Sequence, residues 1–148
     1  MKRVLCCILM MVLLVGTMPV KASASEMETI YFEDGSYATI VLTTYETRAS
    51  GSKSGSKTYN HYDSNGTKLW KAVLTGSFSY TGSNATCTSA DMNVTIYDSA
   101  WFLYNISDSK SGNVAKGSAT VAKELLGVTE SKKSVSLTIT CDANGNLS

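Results

Sequence analysis

From Trp70 to Tyr80 the chain alternates with a period of two. Trp70, Ala72, Leu74, Gly76, Phe78 and Tyr80 fall on one side, and Lys71, Val73, Thr75, Ser77 and Ser79 on the other. This is the pattern of a strand with one buried face. The closing segment repeats it, with Val135, Leu137, Ile139 and Cys141 on the apolar side and Ser134, Ser136, Thr138 and Thr140 opposite. Upstream, Thr29 to Phe32 and Tyr37 to Thr44 flank Asp34-Gly35, and Thr58 to Tyr62 faces Lys68 to Leu74 across Ser64-Asn65-Gly66. Asp-Gly and Asn-Gly between such runs are strong hairpin signals. Pro19 is the only proline, so nothing downstream interrupts a β-ladder, and Gly and Asn must make the turns.

Parity changes mark where strands bend. Met92, Val94 and Ile96 share a face opposite in parity to Ala85 and Cys87, which predicts a bulge around Ser89 to Asp91. A second change falls near Asp98 to Ala100. Residues 101 to 106 are nearly all apolar and fit a strand buried on both faces or crossing a corner. Val114 to Ala122 alternates as a strand does, although Ala119 to Leu126 also fits a helical turn or two. Residues 49 to 56 (Ala-Ser-Gly-Ser-Lys-Ser-Gly-Ser) have the composition of a flexible loop within one domain. Seven or eight short strands point to an all-β chain, a single antiparallel β-sandwich or partly open barrel. Cys87, Trp101 and Cys141 approximate the order of an immunoglobulin domain, but four strand candidates precede Cys87 and position 139 is Ile instead of the corner tyrosine.

The first 24 residues read as a signal peptide. Lys2 and Arg3 precede an apolar run from Val4 to Val15, and Ala22-Ser23-Ala24 has the A-x-A pattern of a cleavage site. The run is too short for a transmembrane anchor. Cleavage leaves one domain, residues 25 to 148, exported and with no further membrane span expected. Loss of Lys2, Arg3 and Lys21 leaves ten basic residues against twelve acidic ones. That near-neutral balance argues against nucleic acid or a polybasic membrane contact as partner. Cys6 and Cys7 leave with the peptide, so Cys87 and Cys141 are the remaining thiols. In an oxidising compartment they are expected to form one disulfide. It would close a loop of about 54 residues and restrict the unfolded chain by roughly 4 kcal/mol.

Few residues suggest chemistry. His61 is the only histidine, lies beside a turn, and reads as a solvent-facing strand residue. No metal or cofactor site is expected, since a zinc site lacks ligands. Asp63-x-Asn65-x-Thr67 and Asp142-x-Asn144-x-Asn146 have the opening spacing of a calcium loop but carry Gly at the fourth position and no closing Glu. Asx turns explain both. Asp91, Asp98 and Glu124 are carboxylates that could serve glycoside hydrolysis, though no local pattern pairs them. Asn65, Asn84, Asn93, Asn105 and Asn146 begin N-x-S/T sequons that matter only in a glycosylating host. Aromatic residues are the best candidates for a binding surface. Trp70, Trp101, Tyr59, Tyr62, Tyr80, Tyr97 and Tyr104 are the rings that could stack on sugar faces; Trp70, Phe78 and Tyr80 share an apolar face and read as core, while Tyr59 and Tyr62 are less committed and are the binding candidates.

Several stretches recur together: Trp70 to Tyr80, Ala85-Thr86-Cys87-Thr88-Ser89, Tyr97-Asp98-Ser99-x-Trp101, Ser111-Gly112-Asn113, and Leu137-Thr138-Ile139-Thr140-Cys141. As a set, over roughly residues 57 to 148, they resemble a family of small secreted β-rich proteins of Gram-positive, Clostridia-like bacteria that carries no assigned function. The resemblance implies a bacterial exported protein and brings no catalytic or binding residues with it. The chain is therefore expected to act as a secreted, monomeric, non-catalytic binding module for an envelope component, a glycan or a protein partner. A diffusible antagonist, either a bacteriocin-like toxin or an enzyme inhibitor, is the alternative. A carboxylate-dependent hydrolase comes third.

Overall fold

A computed structural model describes residues 22–46 and 51–148. Most of the expected signal peptide, residues 1–21, lies outside them. The described chain forms eight antiparallel strands: β1 (Ala22–Tyr31), β2 (Tyr37–Tyr45), β3 (Ser52–Tyr62), β4 (Lys68–Tyr80), β5 (Ala85–Ile96), β6 (Trp101–Ser111), β7 (Val114–Leu125) and β8 (Val128–Thr140). The first five make one sheet in sequence order, and the last three make a second. Each sheet is a meander, and the chain changes sheet once, between β5 and β6. The expected sandwich is therefore present. The barrel alternative is not, because the sheets remain separate, and neither meander gives immunoglobulin topology.

Three hairpins share one turn chemistry. At Asp63 to Thr67, the Asp63 carboxylate accepts the N–H groups of Asn65 (2.9 Å) and Thr67 (2.8 Å). Gly66 closes the turn at φ 84°, a left-handed conformation that glycine adopts without strain. Asp142 caps its own turn in the same way, through Asn144 (2.8 Å) and Asn146 (2.9 Å), with Gly145 at φ 87°. These are the Asx turns expected from the sequence. The Asp34-Gly35 hairpin is a variant in which Asp34 accepts the Ser36 N–H at 3.0 Å.

The inner faces meet by matching large side chains to small ones. Trp70, Leu74, Phe78 and Met92 of the large sheet lie over Ala115, Gly117, Ala119 and Val121 of β7, with Val135, Leu137 and Ile139 of β8 alongside. A Cβ on Gly117 would stand 2.7 Å from Met92 Sδ and 3.0 Å from Leu74 Cδ1. The alternation read from residues 70 to 80 thus sets both the buried face of β4 and the space its partner must leave. The bulge expected around Ser89 to Asp91 lies just before that stretch, at Thr88, where Ser77 pairs with Ser89 but Phe78 pairs with Cys87. Val114 to Ala122 is strand throughout.

Four expectations need correction. Residues 52 to 56, expected as part of a flexible loop, are the first residues of β3: all five pair with β4, and Ser54 to Ser56 pair with β2 as well. Ladder pairing and the close approach of Leu147 to Gly55, whose Cβ would lie 2.5 Å from Leu147 Cδ1, override a composition that favours a loop. Residues 49 and 50 lie outside the described residues. Residues 101 to 106 are not a doubly buried strand: β6 is the edge of the small sheet, and of these six only Trp101 is buried, with Ile106 half-buried. His61 does not face solvent but is 1% exposed.

The fourth correction is the disulfide. Cys141 points inward as expected and Cys87 is buried as well, yet both are free thiols. The β6–β7 turn links their segments instead: the Cys87 N–H donates to Gly112 O at 2.7 Å and the Cys141 N–H to Asn113 O at 3.0 Å. Each thiol donates to a carbonyl of its own segment, Cys87 Sγ to Ser89 O at 3.2 Å and Cys141 Sγ to Asp142 O at 3.4 Å. Burial pushes both thiols up from their ordinary pKa, which lowers the reactive thiolate fraction.

Two measurements check this packing. A thiol-reactive chromophore should label neither cysteine quickly in the folded protein and both after denaturation; an absence of thiols in the denatured protein would contradict the free pair. Gly117→Val should lower unfolding stability by about 1–3 kcal/mol through overpacking, read from the denaturant midpoint.

Candidate functional site

Burying a strand residue sends its neighbours to the opposite face. At one end of the large sheet this rule sorts the aromatic residues into two sets. Ala38, Tyr59, His61 and Trp70 are buried, with Ile30 and Ile96 half-buried beside them. Tyr31, Tyr37 and Tyr62 must then point outward. Register aligns them: Tyr31 pairs with Tyr37, Tyr37 with Tyr62, and Tyr62 with Lys68. A bulge at Leu69, where His61 pairs with Trp70 but Tyr62 with Lys68, restores Lys68 to the outer side. Tyr97 follows β5 and is tied to β4 by its N–H to Leu69 O at 2.9 Å.

The outer set is a continuous row across five strands. Ring centroids are 5.9 Å apart between Tyr31 and Tyr37 and 4.8 Å between Tyr37 and Tyr62, the latter pair stacked at 10°. Lys68 Nζ stands 5.5 Å from the Tyr62 ring and 5.9 Å from the Tyr97 ring, bridging the two as a shared cation. Tyr31 is 79% exposed and Tyr97 51% exposed. The middle rings spend their faces on each other, so free ring faces lie at the ends. Among the described residues none of the four phenol hydroxyls has a hydrogen-bond partner.

The inner set forms a stack. Tyr59, His61 and Trp70 lie with centroids 5.1 to 6.2 Å apart, Trp101 meets His61 edge-on at 6.0 Å, and Phe32 lies 5.5 Å from it. The Tyr59 hydroxyl and His61 Nδ1 are 3.2 Å apart. Burial pushes Tyr59 up to about 12 and holds His61 below its ordinary pKa, with Lys133 adding to the depression. Tyr59, a binding candidate from the sequence, is thus corrected to a core residue at 6% exposed. Tyr62, the other candidate, lies at the centre of the outer row.

Beside the stack, between the sheets, opens a cleft of about 360 Å³. His61, Trp101 and Leu69 line it together with Asp34, Asp63, Asp98, Ser131, Lys123 and Lys133. Asp34 Oδ2 pairs with Lys133 Nζ at 3.3 Å. The Ser36 hydroxyl and N–H, assisted by Lys133, hold the Asp34 carboxyl down at about 2. Backbone donors of its own turn, Thr67 first, hold Asp63 below its usual range. Asp98 Oδ1 accepts the Ala100 N–H at 2.8 Å. A glycosidase acid must be raised in pKa, and Asp34 and Asp63 are shifted the other way. Of the carboxylates singled out in the sequence, Asp98 reaches the cleft, while Asp91 and Glu124 do not. Among the described residues no group of three His, Cys, Asp or Glu could hold a metal ion.

The sequence singled out Tyr62 and counted Tyr97 among its aromatic candidates, but missed Tyr31 and Tyr37. The available signal was their position: each adjoins a hairpin turn or strand end, where hairpin register brings neighbouring strand ends level. No family model, curated protein or solved structure matches this chain.

His61 gives the site a testable pH signature. The unfolded imidazole takes its proton near 6.5, and the folded one resists until lower pH. The unfolded state therefore binds more protons as pH falls, so stability is complete above 6.5 and is lost progressively below it. Asp34 acts in a separate window, from 3.8 down to about 2. Denaturant midpoints measured from about pH 7.5 to about pH 5.5 should fall. A flat profile would contradict the buried neutral imidazole.

Proposed function

We propose that this protein is a secreted, non-catalytic glycan-binding module, and that the row Tyr31, Tyr37, Tyr62, Lys68 and Tyr97 is its binding surface. The observation that carries this reading is the alignment of four tyrosines and one lysine across five strands on one exposed face. At an interstrand spacing of about 4.8 Å the row is roughly 19 Å long, enough to span about three or four sugar units. Tyr31 and Tyr97 offer ring faces on which the apolar face of a sugar can stack. Tyr37, Tyr62 and Lys68 place hydroxyls and an ammonium between them to meet sugar hydroxyls. Such a surface gains affinity with little ordering cost, because the central rings already brace one another.

Export supports a glycan of the envelope or of the surroundings as ligand. The A-x-A pattern ending at Ala24 and the apolar run before it favour delivery outside the cell. β1 shows a register break between Ser25 and Met27, next to the proposed cleavage point. Removal of residues 1 to 24 leaves the stretch from Met27 to Tyr31 paired with β2.

Retention on insoluble polysaccharides, followed by calorimetry on the fragments retained, tests the reading. Tyr31→Ala and Tyr97→Ala should each weaken binding about tenfold, the order of one lost aromatic contact. Tyr62→Phe, which keeps the stack and removes one hydroxyl, should weaken it by about 2- to 10-fold. If all three variants bind as the parent does, the row is not the binding surface.

A further inference from the structure

The cleft behind the row contains a group that the row does not use. His61 is 1% exposed, and its Nδ1 faces the Tyr59 hydroxyl at 3.2 Å. Among the described residues its other nitrogen, Nε2, has no hydrogen-bond partner. Among the described residues, Trp70 Nε1 is the one buried side-chain polar atom sealed from any partner. His61 Nε2 is therefore not sealed, and the opening available to it is the cleft its ring lines. A side chain so deeply buried, with one polar atom left open toward a cavity, is a preorganised contact.

Charge narrows what could sit there. Lys133 is neutralised by Asp34 at 3.3 Å, and Lys123 by Glu130 at 3.4 Å. Asp63 and Asp98 line the same cleft, and among the described residues neither pairs with a cation. The unbalanced charge is negative. The remaining wall is neutral, from the hydroxyls of Ser36, Ser64 and Ser131, the rings of His61 and Trp101, and Leu69. The volume of about 360 Å³ is near the lower end of small-ligand pockets and suits one ring-sized molecule.

We propose that this cleft binds one protonated amino-sugar unit. Its ammonium is held by Asp63 and Asp98, its hydroxyls by His61 Nε2 and the serines, and its apolar face by Trp101. The sugar part of this assignment rests on the glycan reading of the outer row. The cleft would add end-group selectivity for a glycan carrying a free amine.

The test uses the one histidine and the two tryptophans as NMR probes in the mature chain. Glucosamine should move the His61 ring and Trp101 indole signals saturably near neutral pH. N-acetylglucosamine and ethanolamine should each bind about tenfold more weakly or worse. Ser131→Trp, which fills the cleft, should abolish the response. Asp98→Asn, which keeps the turn-capping oxygen, should weaken it and guards against a Ser131 variant that fails to fold. Tyr31→Ala should leave the glucosamine response intact while weakening polysaccharide retention. Failure of the row reading would appear as unchanged retention, whatever the cleft does. The cleft proposal is overturned if neither probe signal moves, if N-acetylglucosamine or ethanolamine matches glucosamine, or if the response survives in a folded Ser131→Trp protein.

Discussion

The stack of Tyr59 and His61 on Trp70 sets most of what lies around it. Three rings within about 6 Å of one another, with Trp101 of the small sheet against His61, fasten the two sheets at one end. Each ring contributes buried area and an oriented contact. Their placement leaves Trp70 Nε1 without a partner, a penalty of about 1–3 kcal/mol that the packing must offset. Because strand residues alternate, inward rings at 59 and 61 force Asn60 and Tyr62 outward. The same rule, applied to Ile30, Ala38 and Ile96, puts Tyr31, Tyr37 and Tyr97 on the outer face. The core thereby determines the surface, and the row of tyrosines is its direct geometric consequence.

The bulge at Leu69 is the one irregularity this arrangement needs. Trp70 pairs with His61 and must face in; without an extra residue, the position opposite Tyr62 would be Leu69, an apolar side chain on the solvent side. The bulge tucks Leu69 into the core and sets Lys68 opposite Tyr62. Bulges of this kind re-aim side chains beside functional surfaces. The same displacement puts Leu69 on the wall of the cleft, so a single inserted residue shapes both faces of the sheet.

Much of the fold was legible in the sequence because its signals are local. Alternation from 70 to 80 and from 134 to 141, together with three Gly-containing turns, predicts strands, inward faces and hairpins without tertiary knowledge. What escaped depends on distant partners. Ser52 to Ser56 has the composition of a loop and becomes strand only because β4, and from Ser54 onward also β2, pairs with it. The β7–β8 turn uses Leu126 at φ 51° before Gly127, where Asn would be usual, so no turn signal announced it. His61 looked like a surface residue because a lone histidine beside a turn carries no mark of burial; besides Tyr59 of its own strand, the rings that enclose it are Trp70 of β4, Trp101 of β6 and Phe32 just after β1. The site was half legible for the same reason. Tyr62 could be singled out as an uncommitted ring, but its neighbours in the row are 31, 25 and 35 residues away, and only register brings them together. The cysteines show a related gap: the inward parity of Cys141 was readable, whereas the hydrogen bonds that tie each to the β6–β7 turn were not.

The most direct test of the account is an affinity series measured by NMR with oligosaccharides of increasing length, drawn from whichever polysaccharide retains the protein. Affinity should rise with each added unit until the chain spans from Tyr31 to Tyr97, about four units at one strand spacing per step, and the shifted signals should be those of Tyr31, Tyr37, Tyr62 and Tyr97. An affinity already complete with one sugar unit, or shifts confined to another face of the sandwich, would contradict it.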